Sequence, residues 1–275
     1  MNETLVGGFD MLKWHGGKEP IAGWIRSHFK PHKHYVEPYA GGLAVLLAGL
    51  PAPAISEVVN DCNQRLINFW RVVAHPEDRL QFASVVTHLP VSEALWRDAL
   101  TGLGKLHPCD HIDAACWFFI HCRQSMAGRM SAWHPLSKTR TRRGINEQVS
   151  AWQGAVDDLE TISYRLQRVA LRCGEAIDVM VSEDSKHTLH YLDPPYLQST
   201  RAAKEVYEHE MTEYQHLKML MAAKAMQGQV FISGYCSELY DYELSKWKRH
   251  ELKVANHAAS GSTKRTMTEC LWEKP

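Results

Sequence analysis

Hydrophobic and polar positions divide the chain into three regions. In the first, 34–37 and 55–60 are short apolar runs of the strand type, while 41–50 and 62–73 carry apolar residues at helical spacing, which predicts two strand and helix pairs. After Pro76 the pattern changes to a helical stretch over about 91–122 and then to an irregular, basic segment through Arg143. This middle portion reads as an insertion. From Val169 the alternation resumes: strand 169–172, helix 175–182, a strand delivering Asp193, helix 212–226, strand 229–233, and closing strands near 250–254 and 269–272. Alternation of this kind, with seven strands in all, predicts an α/β fold. The expected division is a discontinuous domain of 1–75 and 166–275 carrying an inserted, mainly helical domain over 76–165.

Composition narrows the picture. The 275 residues are 45% hydrophobic, enough for a sizeable core. The longest apolar run, 40–50, is too short to cross a bilayer, and the N-terminus lacks the charged start and apolar stretch of a secretory leader, so a soluble, cytoplasmic protein is expected. Seven cysteines without paired spacing fit reduced thiols better than a disulfide framework. The group His107, Cys109, His111, Cys116, His121 and Cys122 lacks the cysteine spacing of a zinc site, and no metal is expected. A net charge of zero conceals local asymmetry: between His121 and Arg172 there are nine Lys or Arg against four Asp or Glu, and Lys246, Lys248, Arg249, Lys253, Lys264 and Arg265 face Glu251 alone. Two basic segments in a neutral chain suit a face that tracks phosphates.

The chemistry concentrates at Asp193-Pro194-Pro195-Tyr196, which closes an apolar strand. An exocyclic amine on an aromatic base is a poor nucleophile because its lone pair is delocalised into the ring. Two fixed acceptors, the Asp193 carboxylate and the Pro194 carbonyl, would each take one N–H and aim the lone pair at a methyl donor, while Tyr196 stacks on the base. Upstream, Glu37-Pro38-Tyr39-Ala40-Gly41-Gly42 stands between a strand and a helix, where glycines admit a ligand close to the backbone. Asp61 closes the next strand, 19 residues after Gly42, the position at which a carboxylate holds ribose hydroxyls. Glu37 suits a ligand bearing positive charge. In Trp14-His15-Gly16-Gly17-Lys18, Lys18 would clamp a carboxylate and Trp14 would pack against the same ligand.

These motifs, in this order, resemble the Dam-type family of N6-adenine DNA methyltransferases: Lys13-Trp14-x-Gly16-Gly17-Lys18, Val36 to Gly42, Asn60-Asp61-x-Asn63 with Leu66 to Phe69, and Tyr191 to Tyr196, with weaker matches at Met211-Thr212, His216, Ser233 to Tyr235 and Glu269-x-Leu271-Trp272. The resemblance implies a Rossmann-like fold with a mixed seven-stranded sheet, S-adenosyl-L-methionine as methyl donor, and an adenine flipped out of double-stranded DNA. It implies that Trp14, Lys18, Tyr39, Gly41 and Asp61 contact the cofactor, that Asp193 and Tyr196 lie between cofactor and base, and that Glu175, Ala176 and Asp178 line the cofactor adenine. Members that read GATC carry a hairpin sequence that 123–129 and 138–143 do not match, so GATC is not carried over. Arg123, Gln124 and Arg129 are candidates for base contacts, and Lys138, Arg140, Arg142, Arg143, Lys264 and Arg265 for phosphate contacts.

Other readings remain open at this level. A site of the Asp-Pro-Pro-aromatic type also suits RNA amines or a protein amide, which the basic insert disfavours, and a non-catalytic DNA-binding relative would not need Lys18, Glu37, Asp61 and Asp193 together. Whether a cognate restriction endonuclease accompanies the protein, and its oligomeric state, are not encoded in these motifs.

Overall fold

Residues 9–49, 54–105, 111–201, 208–255 and 266–275 are described by the computed structural model. In chain order, α1 (Ala22–Ser27), β1 (His34–Glu37), α2 (Ala44–Leu47), β2 (Ser56–Asn60) and α3 (Gln64–Ala74) precede the helices α4 (Pro76–Val86), α5 (Glu93–Leu103) and α6 (His111–Arg123). A hairpin of β3 (Thr141–Arg142) and β4 (Ile145–Asn146) leads into α7 (Glu147–Asp157) and α8 (Leu159–Leu166). The last part holds β5 (Val169–Arg172), α9 (Ala176–Ser182), β6 (Thr188–Leu192), α10 (Glu213–Ala225), β7 (Gln229–Gly234), α11 (Glu238–Glu243), β8 (Lys248–Ala255) and β9 (Thr266–Glu273).

Seven strands form one mixed sheet in the order β5-β2-β1-β6-β7-β9-β8. Strand β1 runs parallel to both β2 and β6, β6 runs parallel to β7, and β9 lies antiparallel between β7 and β8. All five residues of β6 are buried, as are the last five of β7, which is why these segments are mostly apolar without alternation. The chain order reverses at β1, whose neighbours are β2 on one side and β6 on the other, so the carboxyl ends of β1 and β6 mark the switch point where α/β sheets bind ligands.

The chain separates into two compact units. One comprises the described residues within Met1–Ser27, Gly41–Pro53 and Asn63–Leu171, the other those within His28–Ala40, Ala54–Cys62 and Arg172–Pro275. The insertion expected over 76–165 falls wholly inside the first unit, together with α1, α2 and α3. That unit is built on aromatic packing: Phe119 stacks on Phe69 at 5.8 Å and meets Phe82 at 5.4 Å and Trp152 at 4.9 Å. The second unit buries Leu192, Leu220, Ile232 and Trp272 in one apolar cluster. Helix α10 joins that cluster through its Met219, Leu220 and Ala223 and is started by a capping box between Thr212 and Gln215.

Several elements differ from the sequence expectation. The helix expected over 41–50 is confined to α2, because Gly41 (φ +47°) and Leu43 (φ +58°) are left-handed and the turn consumes the intended first helical turn. Helix α4 escapes periodicity analysis: Phe82 and Val86 are buried while Leu80 and Val85 are exposed, so no apolar stripe forms. The segment read as irregular contains the β3 and β4 hairpin, turned by Arg143 (φ +54°) and Gly144 (φ +79°), both left-handed as a two-residue turn requires. Among the described residues, no helix is long and apolar enough to cross a membrane. The six described cysteines are free thiols.

Candidate active site

In the sheet-bearing unit, β1 ends at Glu37 and β2 at Asn60. Glu37 is 2% exposed and accepts a hydrogen bond from the Tyr35 hydroxyl at 3.1 Å. Asn60 organises the strand exits: its Nδ2 donates to the Pro38 and Gly174 carbonyls, each at 3.0 Å, and its main-chain oxygen accepts from Ala40 N at 2.8 Å. Two loops that carry predicted site residues, Pro38 to Ala40 and Gly174 to Ala176, are thereby tied to one side chain. Tyr39 lies within electrostatic reach of Glu175 and Asp61: burial first, and then Cys62, Glu175 and Asp61, push its phenol well above its ordinary range. The same surroundings push the Cys62 thiol up to about 11, burial first and Asp61 next. Glu175 stands at the N-cap position of α9 without a side-chain capping bond, Ala176 opens the helix, and Glu175 and Asp178 are both exposed.

This donor set fits S-adenosylmethionine. Three carboxylates, Glu37, Asp61 and Glu175, suit a ligand with an amino group, ribose hydroxyls and a sulfonium. The Asn60 Oδ1 atom is buried with no hydrogen-bond partner among the described residues, an acceptor left over for a ligand donor.

The remaining predicted cofactor residues belong to the helical unit. Gly16 is left-handed (φ +76°), Gly17 N bonds Trp14 O at 3.1 Å, and Lys18, 6% exposed, donates to Gly16 O at 2.8 Å. Trp14 packs on the second glycine turn, where a Cβ on Gly41 would sit 2.8 Å from Trp14 Nε1 and one on Gly42 3.1 Å from Trp14 Cβ. A side chain at Gly41 would require Trp14 to shift, and one at Gly42 would require it to give by a few tenths of an ångström. Trp70 Nε1 fixes the turn further by donating to Gly41 O at 3.0 Å.

The tetrad follows β6 directly. Asp193 is half-buried, Pro194 is buried and Pro195 half-buried. Tyr196 is 7% exposed, with its hydroxyl donating to Glu269 on β9 and Tyr235 lying edge to face at 4.7 Å. Little of the ring is therefore open to solvent, in contrast to the free face expected from sequence. Burial and then Glu269 and Asp193 drive the Tyr196 phenol far above its usual range, so it remains a neutral donor.

Sequence reasoning assigned no role to Glu269, Tyr235, Asn60 or His216, although each lies in or near a matching motif. His216 is fully buried on α10, with Nδ1 2.9 Å from the Tyr240 hydroxyl. Burial, then Arg201, pushes the imidazole down to about 4, against the Pro195 carbonyl and Glu210, which act the other way. The neutral ring is thus the folded form. Because the folded value lies below the unfolded value of about 6.5, the contribution of His216 is complete above that pH and is lost as pH falls towards 4. The stability difference between wild type and His216→Gln should shrink by about 2 kcal/mol between about pH 7.5 and 4.5, measured by urea unfolding. A constant difference would show that the ring does not change protonation on unfolding.

Two of the residues read as base contacts point inward. Arg123 is 8% exposed, donates to Asp10 O at 2.6 Å and Ala151 O at 2.7 Å, and pairs with the Asp10 carboxylate at 3.1 Å. Gln124, 3% exposed, accepts from Ser92 N at 3.0 Å and donates to Pro90 O at 3.3 Å. Both hold the helical unit together, and their hydrogen-bonding groups are committed to it. Arg129, Lys138, Arg140, Arg142 and Arg143 are exposed, the last four in or beside the β3 and β4 hairpin. Arg140 pairs with Glu147 at 2.7 Å. Lys264 and Arg265 lie outside the described residues, as do Lys204, Tyr207, His107 and Cys109.

A mixed seven-stranded sheet of Rossmann-like order, with carboxylates beyond β1 and β2 and an Asp-Pro-Pro-Tyr tetrad beyond β6, is the arrangement expected of a Rossmann-like methyltransferase. The family model of D12 class N6 adenine-specific DNA methyltransferases matches residues 14–94 and 145–255, and the chain belongs to that family. It is an adenine-specific DNA methyltransferase, with S-adenosylmethionine as cofactor. No curated protein matches the sequence. Solved structures similar to it at a distance include the rRNA methyltransferase aviRa from Streptomyces viridochromogenes, at 10% identity and a TM-score of 0.42 over 99% of this chain and 88% of that one. Another is the Thermoplasma acidophilum 1320 protein, at 8% identity and a TM-score of 0.40 over 93% and 84%. A third is a SAM-dependent methyltransferase from Agrobacterium tumefaciens, at 12% identity and a TM-score of 0.38 over 93% and 59%.

Proposed function

We propose that this methyltransferase acts on a short target sequence in duplex DNA, on an adenine flipped out of the stack, with 76–165 as its target-recognition portion. The observation that carries the reading is the placement of Asp193-Pro194-Pro195-Tyr196 at the carboxyl end of the fully buried β6, next to the strand that ends in Glu37. In this reading the Asp193 carboxylate accepts one N–H of the adenine amine and the Pro194 carbonyl the other, which localises the nitrogen lone pair. Tyr196, held by Glu269, lies along the base. When bound, S-adenosylmethionine would supply an electrophilic methyl group, and Glu37, Asp61 and Glu175 would hold its polar groups. Flipping costs a few kcal/mol of stacking and pairing, offset by the pocket and by backbone contacts. The exposed cations Lys138, Arg142 and Arg143 on and beside the hairpin supply such contacts, and Arg129 is the candidate that remains for a base edge.

The test is to incubate the protein with unmethylated genomic DNA and S-adenosylmethionine and map modified bases by single-molecule sequencing. N6-methyladenine confined to one short motif is the expected result. Dispersed methylation would restrict the basic insert to phosphate contacts and refute sequence specificity. Absence of DNA methylation alongside cofactor binding would refute the duplex-DNA assignment. A fixed motif would also direct the search for a restriction endonuclease that cuts at the same sequence.

A further inference from the structure

Two of the six described free cysteines have their sulfurs in contact. Cys236, exposed just beyond the end of β7, and Cys270, buried on β9, bring their Sγ atoms to 3.2 Å. Cys270 is registered opposite Gly234 on one side and Glu251 on the other, so it is fixed in the ladder of three strands. Each cysteine directly follows a residue that touches the tetrad. Tyr235, before Cys236, packs on the Tyr196 ring, and Glu269, before Cys270, accepts the Tyr196 hydroxyl.

We propose that Cys236 and Cys270 form a dithiol modification site for small-molecule disulfides, and that the bridge it closes weakens methyl transfer by shifting Tyr235 and Glu269 against Tyr196. The second half rests on the function proposed above. The Cys236 thiolate attacks one sulfur of the small disulfide, forming a mixed disulfide and releasing one small thiolate. The Cys270 thiolate then attacks the Cys236 sulfur, forming the protein bridge and expelling the second. The two protons lost by the cysteines are taken up by the two leaving thiolates, so two protein thiols are oxidised and one small disulfide is reduced to two thiols. Burial, then Cys236, pushes the Cys270 thiol up to about 12, while Arg249 works against this, which makes the exposed Cys236 the entry point.

Glu251 completes a trio whose ligand atoms lie within 4.8 Å of one another, a set that a thiophilic cation could also occupy. Two features favour the bridge. Thiolates on a tetrahedral zinc stand about 3.8 Å apart, given Zn–S bonds of about 2.3 Å, wider than the observed contact. Arg249 already provides the positive charge, pairing with Glu251 at 2.9 Å and Asp241 at 2.8 Å.

The experiment treats the reduced, full-length protein with oxidised glutathione and follows intact mass, non-reducing peptide maps and methyl transfer separately. The expected product has lost two hydrogens, retains no glutathione and links the peptides of Cys236 and Cys270. Turnover should fall about tenfold, as small displacements at a reacting centre do, and return with dithiothreitol. Cys236→Ser, at an exposed position, should keep the turnover of the reduced enzyme and lose both bridge and sensitivity. Stable glutathione on Cys236 without a bridge, or binding of Zn²⁺ alone by both thiols with no bridge after oxidant, would overturn the site. A bridge that leaves turnover unchanged would overturn its effect on Tyr196. Failure of the reduced protein to methylate DNA would instead refute the proposed substrate, with the mass readout unaffected.

Discussion

Asp193→Ala should lower methyl transfer by about a thousandfold or more while leaving S-adenosylmethionine affinity within about threefold of wild type. The carboxylate stands at the carboxyl end of β6, followed by two prolines that restrict the backbone on which it is carried. Its proposed role is to accept an N–H of the adenine amine as that nitrogen becomes tetrahedral. An interaction made chiefly in the transition state appears in turnover rather than in binding. Asp193→Asn separates charge from geometry: it retains one acceptor oxygen, and its expected loss is smaller, about 10–100-fold. The measurement is single-turnover transfer of labelled methyl groups, with calorimetric binding of the cofactor on the same preparations. Near-normal turnover in Asp193→Ala would remove the carboxylate from the mechanism. An equal loss of cofactor affinity would make Asp193 a binding residue instead.

The parts of this architecture legible in the sequence are those whose residues carry their own signal. Strand β1 occupies the expected 34–37 because its burial is nearly continuous, and β5 occupies the expected 169–172. Tyr39, Asp61 and Glu175 were legible because each stands at or within two residues of the end of an element that periodicity located. What could not be read depends on partners distant in the chain. Arg123 looks like a guanine reader until Asp10 and Ala151 are brought to it by folding. Glu269 gains meaning only when β9 inserts between β7 and β8 and carries it to Tyr196, 73 residues away. The hairpin was hidden for a different reason. Its strands are two residues each, too short for alternation to register, and an Arg-Gly turn is weaker notice than Asn-Gly.

Asn60→Leu should cost about 2–4 kcal/mol of stability and weaken S-adenosylmethionine binding about 10–100-fold. Leucine is close to asparagine in size, so the 1%-exposed site is refilled without a large cavity. The loss is then that of hydrogen bonds. Two carbonyls, Pro38 O and Gly174 O, are left without the donor that now reaches both at 3.0 Å. Those carbonyls lie just before Tyr39 and Glu175, so the loops of the acidic cradle lose their common anchor. Asn60→Asp supplies an oxygen where a donor is needed and should be at least as damaging, since the carboxylate would face two carbonyl oxygens. Urea unfolding gives the stability change and calorimetry the affinity. If stability falls by the expected amount while affinity is unchanged, Asn60 anchors the loops without shaping the cofactor site. If affinity falls with stability intact, the unpaired Oδ1 atom is itself a ligand contact, and the amide acts on the cofactor directly rather than through the loops it joins.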